Sequence, residues 1–319
     1  MQLLTSPPVL WPSHIWQQYA CHRDHAQRLS RVPTVQRKPP WLFPNLLSLD
    51  APLVAITWLY IFGKTWRVDY HPWEAYVSLG LAVWGIYVAD RLLDASMFAT
   101  ASARLEARHA FHQRHRKWFI AGGCIACMTA LLLLVTYMSF AIYTYVFLGG
   151  VIVAGFFGLS MLSAQESADV PYTKNILAGI GFAFGTAMMA HVYLPGLGPW
   201  EMLQSHELLC FAVLCILNIS AIDLWENANR SLDIELLAHA ELILTVSIAI
   251  LAVICIFFAA TDHEMAVRPF YYAILTGAAL LQILNRTRSR FSMDALRVLA
   301  DLTLLAPVLV FWAVNRDAS

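Results

Sequence analysis

Apolar residues fill runs of about 20 positions that recur along most of the chain, each closed by a short polar or charged stretch. A run of that length matches the roughly 20 residues an α-helix needs to cross the hydrocarbon core of a bilayer. The pattern predicts nine spans, at roughly 45–63, 73–92, 117–138, 140–163, 174–194, 203–222, 238–260, 267–285 and 295–314. The expected fold is all-α, a polytopic membrane bundle over 45–319. It is preceded by an arm at 1–44 that holds Arg23, Arg28, Arg31, Arg37 and Lys38 with several prolines. That arm lacks the continuous apolar stretch of a secretory signal and is expected to stay in the cytoplasm.

Composition sharpens the class. Of 319 residues 59% are hydrophobic and 13% charged, about half the charge of an ordinary soluble domain, and mean hydropathy is +0.59. This excludes a soluble globular protein, and a formal net charge of zero gives no general attraction to nucleic acid. With the N-terminus inside, all of the 21 Lys and Arg except Lys64, Arg67, Arg268 and Arg316 fall on the cytoplasmic side. That bias is what the positive-inside rule requires, and it implies an integral protein of the cell inner membrane with its C-terminus outside.

The cysteines lie mostly inside predicted spans, where a free thiol behaves as a small apolar group. Cys124 and Cys127 have CxxC spacing but no second pair, so neither a zinc site nor a disulfide is expected.

Two acidic clusters change the picture. Asp90-Arg91-Leu92-Leu93-Asp94 closes the second span, and Asp223-Leu224-Trp225-Glu226-Asn227 closes the sixth. Charge at bilayer depth is costly without a partner. Asp90 and Asp94 share one helix face a turn apart, where like charges repel unless a cation lies between them. Asp223 and Asn227 repeat that spacing, with Glu226 beside them. Mg²⁺ suits such a set, because it prefers oxygen ligands and joins one or two carboxylates to substrate phosphates. Asp90, Asp94, Asp223, Glu226 and Asn227 are therefore the expected metal ligands, at the cytoplasmic face.

These motifs and their placement resemble the UbiA superfamily of intramembrane prenyltransferases, whose members have nine spans and Asp-rich motifs after the second and sixth. The last two acids of the first family motif fall on Asp90 and Asp94, while Ile86 and Tyr87 stand where that motif opens with Asn-Asp. Asn227 stands where the second motif ends in Asp. Ser48-Leu49-Asp50-Ala51-Pro52 resembles the entry to the first helix. Pro171-Tyr172-Thr173-Lys174-Asn175 with Gly179, Gly181 and Gly185 resembles the basic entry to the fifth.

The resemblance implies a Mg²⁺-dependent enzyme that moves an isoprenyl group from a prenyl diphosphate to a lipophilic acceptor in the membrane. Asp90, Asp94 and Asp223 would be catalytic, and Arg91, Lys174 and Tyr172 would bind the diphosphate. Trp58, Trp84, Tyr87, Phe182 and Phe184 are positional candidates to face an allylic cation. The basic connection after the second span, with Arg108, His112 and Arg116, is the expected cytoplasmic cap. Its histidines at 109, 112 and 115 recur every three residues, which is not the spacing of two ligands on one helix face. Two alternatives stay open: a terpene cyclase of the same superfamily that needs no acceptor, and a membrane protein that binds a lipid or protein without catalysis.

Overall fold

The computed structural model describes residues 39–98, 111, 114–163, 171–228, 234–262 and 267–317. Trp41–Ser319 forms one compact unit. It is all-helical, with no strand among the described residues. Its long helices are α1 (Asp50–Thr65), α2 (Trp73–Phe98), α3 (Arg116–Tyr137), α4 (Ile142–Ser163) and α5 (Pro171–His191), then α6 (His206–Ala228), α7 (Ile234–Thr261), α8 (Arg268–Thr287), α9 (Met293–Leu305) and α10 (Pro307–Asp317). Each apolar stretch expected from the sequence thus coincides with a helix, and Ala306-Pro307 divides the last stretch into α9 and α10.

Length and apolarity qualify six of these, among the described residues, to cross a membrane: α2, α3, α4, α6, α7 and, taken together, α9 and α10 over Met293–Asn315. A seventh is added if Pro40–Leu46 and α1, bent by 79°, count as one span. Of the nine expected spans, α5 and α8 fall short in either count, for a physical reason. They lie against several other helices and carry polar groups, Lys174, Asn175, Thr186 and His191 on α5 and Gln282, Asn285 and Arg286 on α8, so less of their surface has to be apolar.

Lipid tails are as apolar as Leu, so close packing has to hold such helices together. α1, α5, α6 and α8 build the centre, where Trp58 stacks on Phe211 with ring centroids 4.3 Å apart and meets Phe270 edge-on at 5.7 Å. Trp58 Nε1 donates to the Leu304 carbonyl of α9 at 2.8 Å, which satisfies the one polar atom of a fully buried ring. At Gly179 the backbones of α5 and α6 approach so closely that an added Cβ would lie 2.8 Å from the Ile216 nitrogen. By contrast, only 17% of the apolar window of α3 and 11% of that of α4 is buried, so their outer faces are left to lipid.

The corner before α1 is pinned from both sides. Ser48 takes a left-handed conformation, φ 54°, uncommon for a residue with a Cβ. Asn45 Nδ2 donates to Asp50 Oδ2 at 2.6 Å, Asp50 Oδ1 accepts from Ala51 N, and Trp84 Nε1 of α2 donates to the Leu47 carbonyl at 2.8 Å. At the other end of the bundle His71, between α1 and α2, contacts the Met189 carbonyl of α5 at 2.9 Å, and Tyr145 of α4 pairs with His191 of α5 at 2.8 Å.

Candidate functional site

The start of α1, the last turns of α2 and α6 and the first turns of α5, α7 and α9 share one end of the bundle, with the last turn of α8. Asp90, near the end of α2, faces Lys174 of α5, with Oδ1 3.6 Å from Nζ and 16% of the carboxylate side chain exposed. That oxygen is buried and accepts no hydrogen bond. The next residue of α5, Asn175, turns to α6 and donates from Nδ2 to Asp223 Oδ2 at 3.3 Å. Asn227 Nδ2 reaches the other Asp223 oxygen, also at 3.3 Å, across one helical turn. Consecutive residues point about 100° apart on a helix, so a single turn of α5 holds one acid from each cluster. Lys174 Nζ also lies 5.3 Å from the centre of the Phe156 ring on α4.

Glu226 faces elsewhere. Its Oε1 accepts from Nε of Arg297 at 2.9 Å and from Nη2 at 2.7 Å, and Nη1 of the same guanidinium reaches Asp294 at 3.3 Å. Arg297 is 3% exposed, so this is an ion pair sealed between α6 and α9. Trp225, beside Glu226, is held on the α8 side, where Nε1 donates to Asn285 Oδ1 at 2.9 Å. Arg288 donates to that oxygen and to Glu241 of α7. The end of α6 is therefore braced by α5, α9 and α8, each through a different side chain.

About one turn further in lies a small cavity of about 30 Å³ lined by Tyr87, Phe182, Cys215, Asn218 and Asp301, among others. Tyr87 is one turn before Asp90 and Ile219 one turn before Asp223, so these lining residues stand about a turn from the acids along α2 and α6. Asn218 is oriented by donating to the Ala300 carbonyl at 2.8 Å and to Thr303 Oγ1 at 3.3 Å.

The other expected site residues are more scattered. Asp94 lies a turn beyond Asp90 on α2, and its side chain is outside the described residues. Arg108 and His112 of the expected cap are outside them too, while Arg116 opens α3 in an exposed position. Arg91 is half-buried on α2, and Tyr172 is 59% exposed on the first turn of α5. The five described cysteines are free thiols. Sequence reasoning missed Arg297 and Asp301. The signal was present, since both are ionisable residues inside an apolar run.

Among the described residues no three His, Cys, Asp or Glu side chains are arranged to hold a metal ion by themselves. The donor set nonetheless suits a hard cation shared with a substrate phosphate. Asp90 and Asp223 offer carboxylate oxygens, and the buried Asp90 Oδ1 lacks a hydrogen-bond donor. Glu226 is committed to Arg297. Comparison with protein-family models, curated proteins and solved structures yields no match for this chain.

Proposed function

We propose that this protein is an intramembrane prenyltransferase that uses Mg²⁺ to move an isoprenyl group from a prenyl diphosphate to a lipophilic acceptor, on a bundle like that of the UbiA superfamily. The observation that carries this reading is the grip of Lys174 and Asn175 on Asp90 and Asp223. It joins clusters more than a hundred residues apart into one site with two carboxylates, one cation and an amide. A nine-span bundle with its N-terminus and acidic end in the cytoplasm completes the proposal.

When bound, Mg²⁺ neutralises charge as it develops on the leaving diphosphate. Asp90 and Asp223 would hold it, while Asn227 and Asn175 orient the Asp223 carboxylate. Lys174, beside Asp90, would supply a positive charge to phosphate oxygens. Tyr87 and Phe182, a turn deeper, present aromatic surface where the allylic carbon would lie. Glu226 acts through Arg297 to hold α6 in place.

Purified protein in lipid nanodiscs, given prenyl diphosphates of several lengths with Mg²⁺, should release diphosphate, and product mass spectrometry should find the acceptor prenylated. Asp90→Asn and Asp223→Asn should each lower release roughly 100-fold or more. Release without need of an acceptor would identify a cyclase. Undiminished Mg²⁺-dependent turnover in a folded Asp90→Ala, Asp223→Ala double variant would overturn the site.

A further inference from the structure

We propose that the start of α3 binds one phospholipid with an anionic headgroup, its phosphate met by Arg114, Arg116 and Lys117 and its chains laid along the outer face of that helix. The site stands apart from the acids of α2 and α6 and does not rest on the prenyltransferase reading. All three basic side chains are exposed, and among the described residues none of them pairs with a carboxylate. The neighbouring sequence offers none, since no Asp or Glu occurs from 107 to 165. The first turn of α3 also lacks an acid, and its N-cap His115 makes no side-chain cap. The positive end of the helix dipole therefore adds to the field of the three cations. Like charges so close repel one another, and an anion seated among them removes that cost.

Helical phase decides which anion fits. Lys117 heads a face that continues through Cys124, Met128, Leu131 and Val135, at the three-, four- and seven-residue steps of one helix side. All four are exposed. Phe119, Ala126 and Ala130 are buried on the opposite side, and there Gly122 and Gly123 lie against Trp84 and Val88 of α2. Lys117 is thus turned to lipid and away from the helix that carries Asp90. Trp118, 80% exposed beside it, has the amphipathic ring that settles at headgroup level. A soluble phosphate makes no use of an apolar stripe, whereas a phospholipid covers cation and stripe together. From Lys117 to Met128 the helix rises about 16 Å, close to the roughly 15 Å of hydrocarbon in one leaflet. A single lipid therefore spans this half of the face, with its phosphate among the cations.

The test uses the full chain in detergent micelles, with phosphatidylglycerol and phosphatidylcholine of identical chains as probes in native mass spectrometry. Wild type should bind one phosphatidylglycerol at least about 10-fold tighter than phosphatidylcholine, since each basic group near the surface favours the anionic lipid. Replacing Arg114→Gln, Arg116→Gln and Lys117→Gln together should shrink that preference to about 2-fold or less. Arg286→Gln with Arg290→Gln, on another exposed basic stretch, should keep most of it. On the wild-type chain, phosphatidylglycerol with a diazirine near the end of one chain should label residues 124–128. Unmodified phosphatidylglycerol should compete for that labelling, and phosphatidylcholine or inorganic phosphate at the same concentration should not. This measurement decides the matter even if the triple variant does not fold. Equal binding of the two lipids, a preference that survives the triple change or falls as far in the Arg286 and Arg290 variant, or a label placed elsewhere, would overturn the site. Competition by inorganic phosphate would refute the lipid as its occupant.

Discussion

Arg297→Met should be among the most damaging single changes outside the apolar core. The guanidinium is 3% exposed and makes three hydrogen bonds, two to Glu226 and one to Asp294. Methionine fills much the same length but takes the Arg297 guanidinium away from the Glu226 carboxylate, whose side chain is 15% exposed. Breaking a buried ion pair from one side costs about 3–5 kcal/mol. The partial exposure of Glu226, and Asp294 at 41%, place this case near the lower figure, about 3 kcal/mol. Glu226→Gln keeps an acceptor oxygen and leaves Arg297 paired with Asp294, so the loss is smaller, about 2 kcal/mol. Removing both charges, in Arg297→Met with Glu226→Leu, should bring the loss back to roughly 1 kcal/mol, because neither ion is left to be desolvated alone. Denaturant unfolding in micelles, followed by tryptophan fluorescence, gives the three values, and Glu226→Leu alone closes the cycle that yields a coupling energy. An Arg297→Met loss under about 1 kcal/mol, or additive losses within about 0.5 kcal/mol, would refute the reasoning. Because Glu226 is held by Arg297, Glu226→Gln should lower stability without raising the Mg²⁺ requirement.

Three further outcomes are expected. Gly179→Ala should cost several-fold in folded yield, because its Cβ would press on the Ile216 backbone, whereas Gly158→Ala meets nothing and should be neutral; size-exclusion profiles separate the two. His71 is held below its ordinary value of 6.5, chiefly by burial, against the opposing pull of the Met189 carbonyl. The folded loop thus binds fewer protons than the unfolded one, so its contribution is present above about pH 6.5 and is lost as pH falls below it. Amides of residues 66–71 should open more readily at pH 5.5 than at 7.5, and His71→Gln, with Tyr76 and Tyr193 unchanged around it, should flatten that dependence in hydrogen exchange. Ser289→Cys and Tyr70→Cys, each in a background without native cysteines, should label from opposite faces of the membrane, Ser289 from the cytoplasm; labelling from one face would reject the proposed orientation.

Helix positions were legible because lipid selects directly for apolar runs, and every expected stretch is helical. Which helices stand inside was not, because α5 and α8 owe their polar residues to neighbours that only the folded chain brings near. The pairing of the acidic clusters was anticipated from Asp90 and Asp223. The partner of Glu226 was not, since it stands 71 residues away and no spacing rule joins an ionisable residue at the start of the ninth expected span to the end of the sixth. Asn175 was noted as part of a basic helix entry, yet its role depends on facing α6 while Lys174 faces α2, a distinction of about 100° that no spacing rule reveals without knowing where both helices lie.

That pair of adjacent side chains makes the opening of α5 tolerant of spelling but not of length. A substitution at 174 or 175 loosens one grip and leaves the other. Inserting or deleting one residue between Tyr172 and Lys174 leaves the deeper helix where Gly179 locks it against Ile216. Only the chain ahead of the change is re-phased. The same edit between Asn175 and Gly179 would rotate both grips away from both acids at once. Over evolutionary drift, the four-residue interval from Asn175 to Gly179 should therefore keep its length even where its letters change.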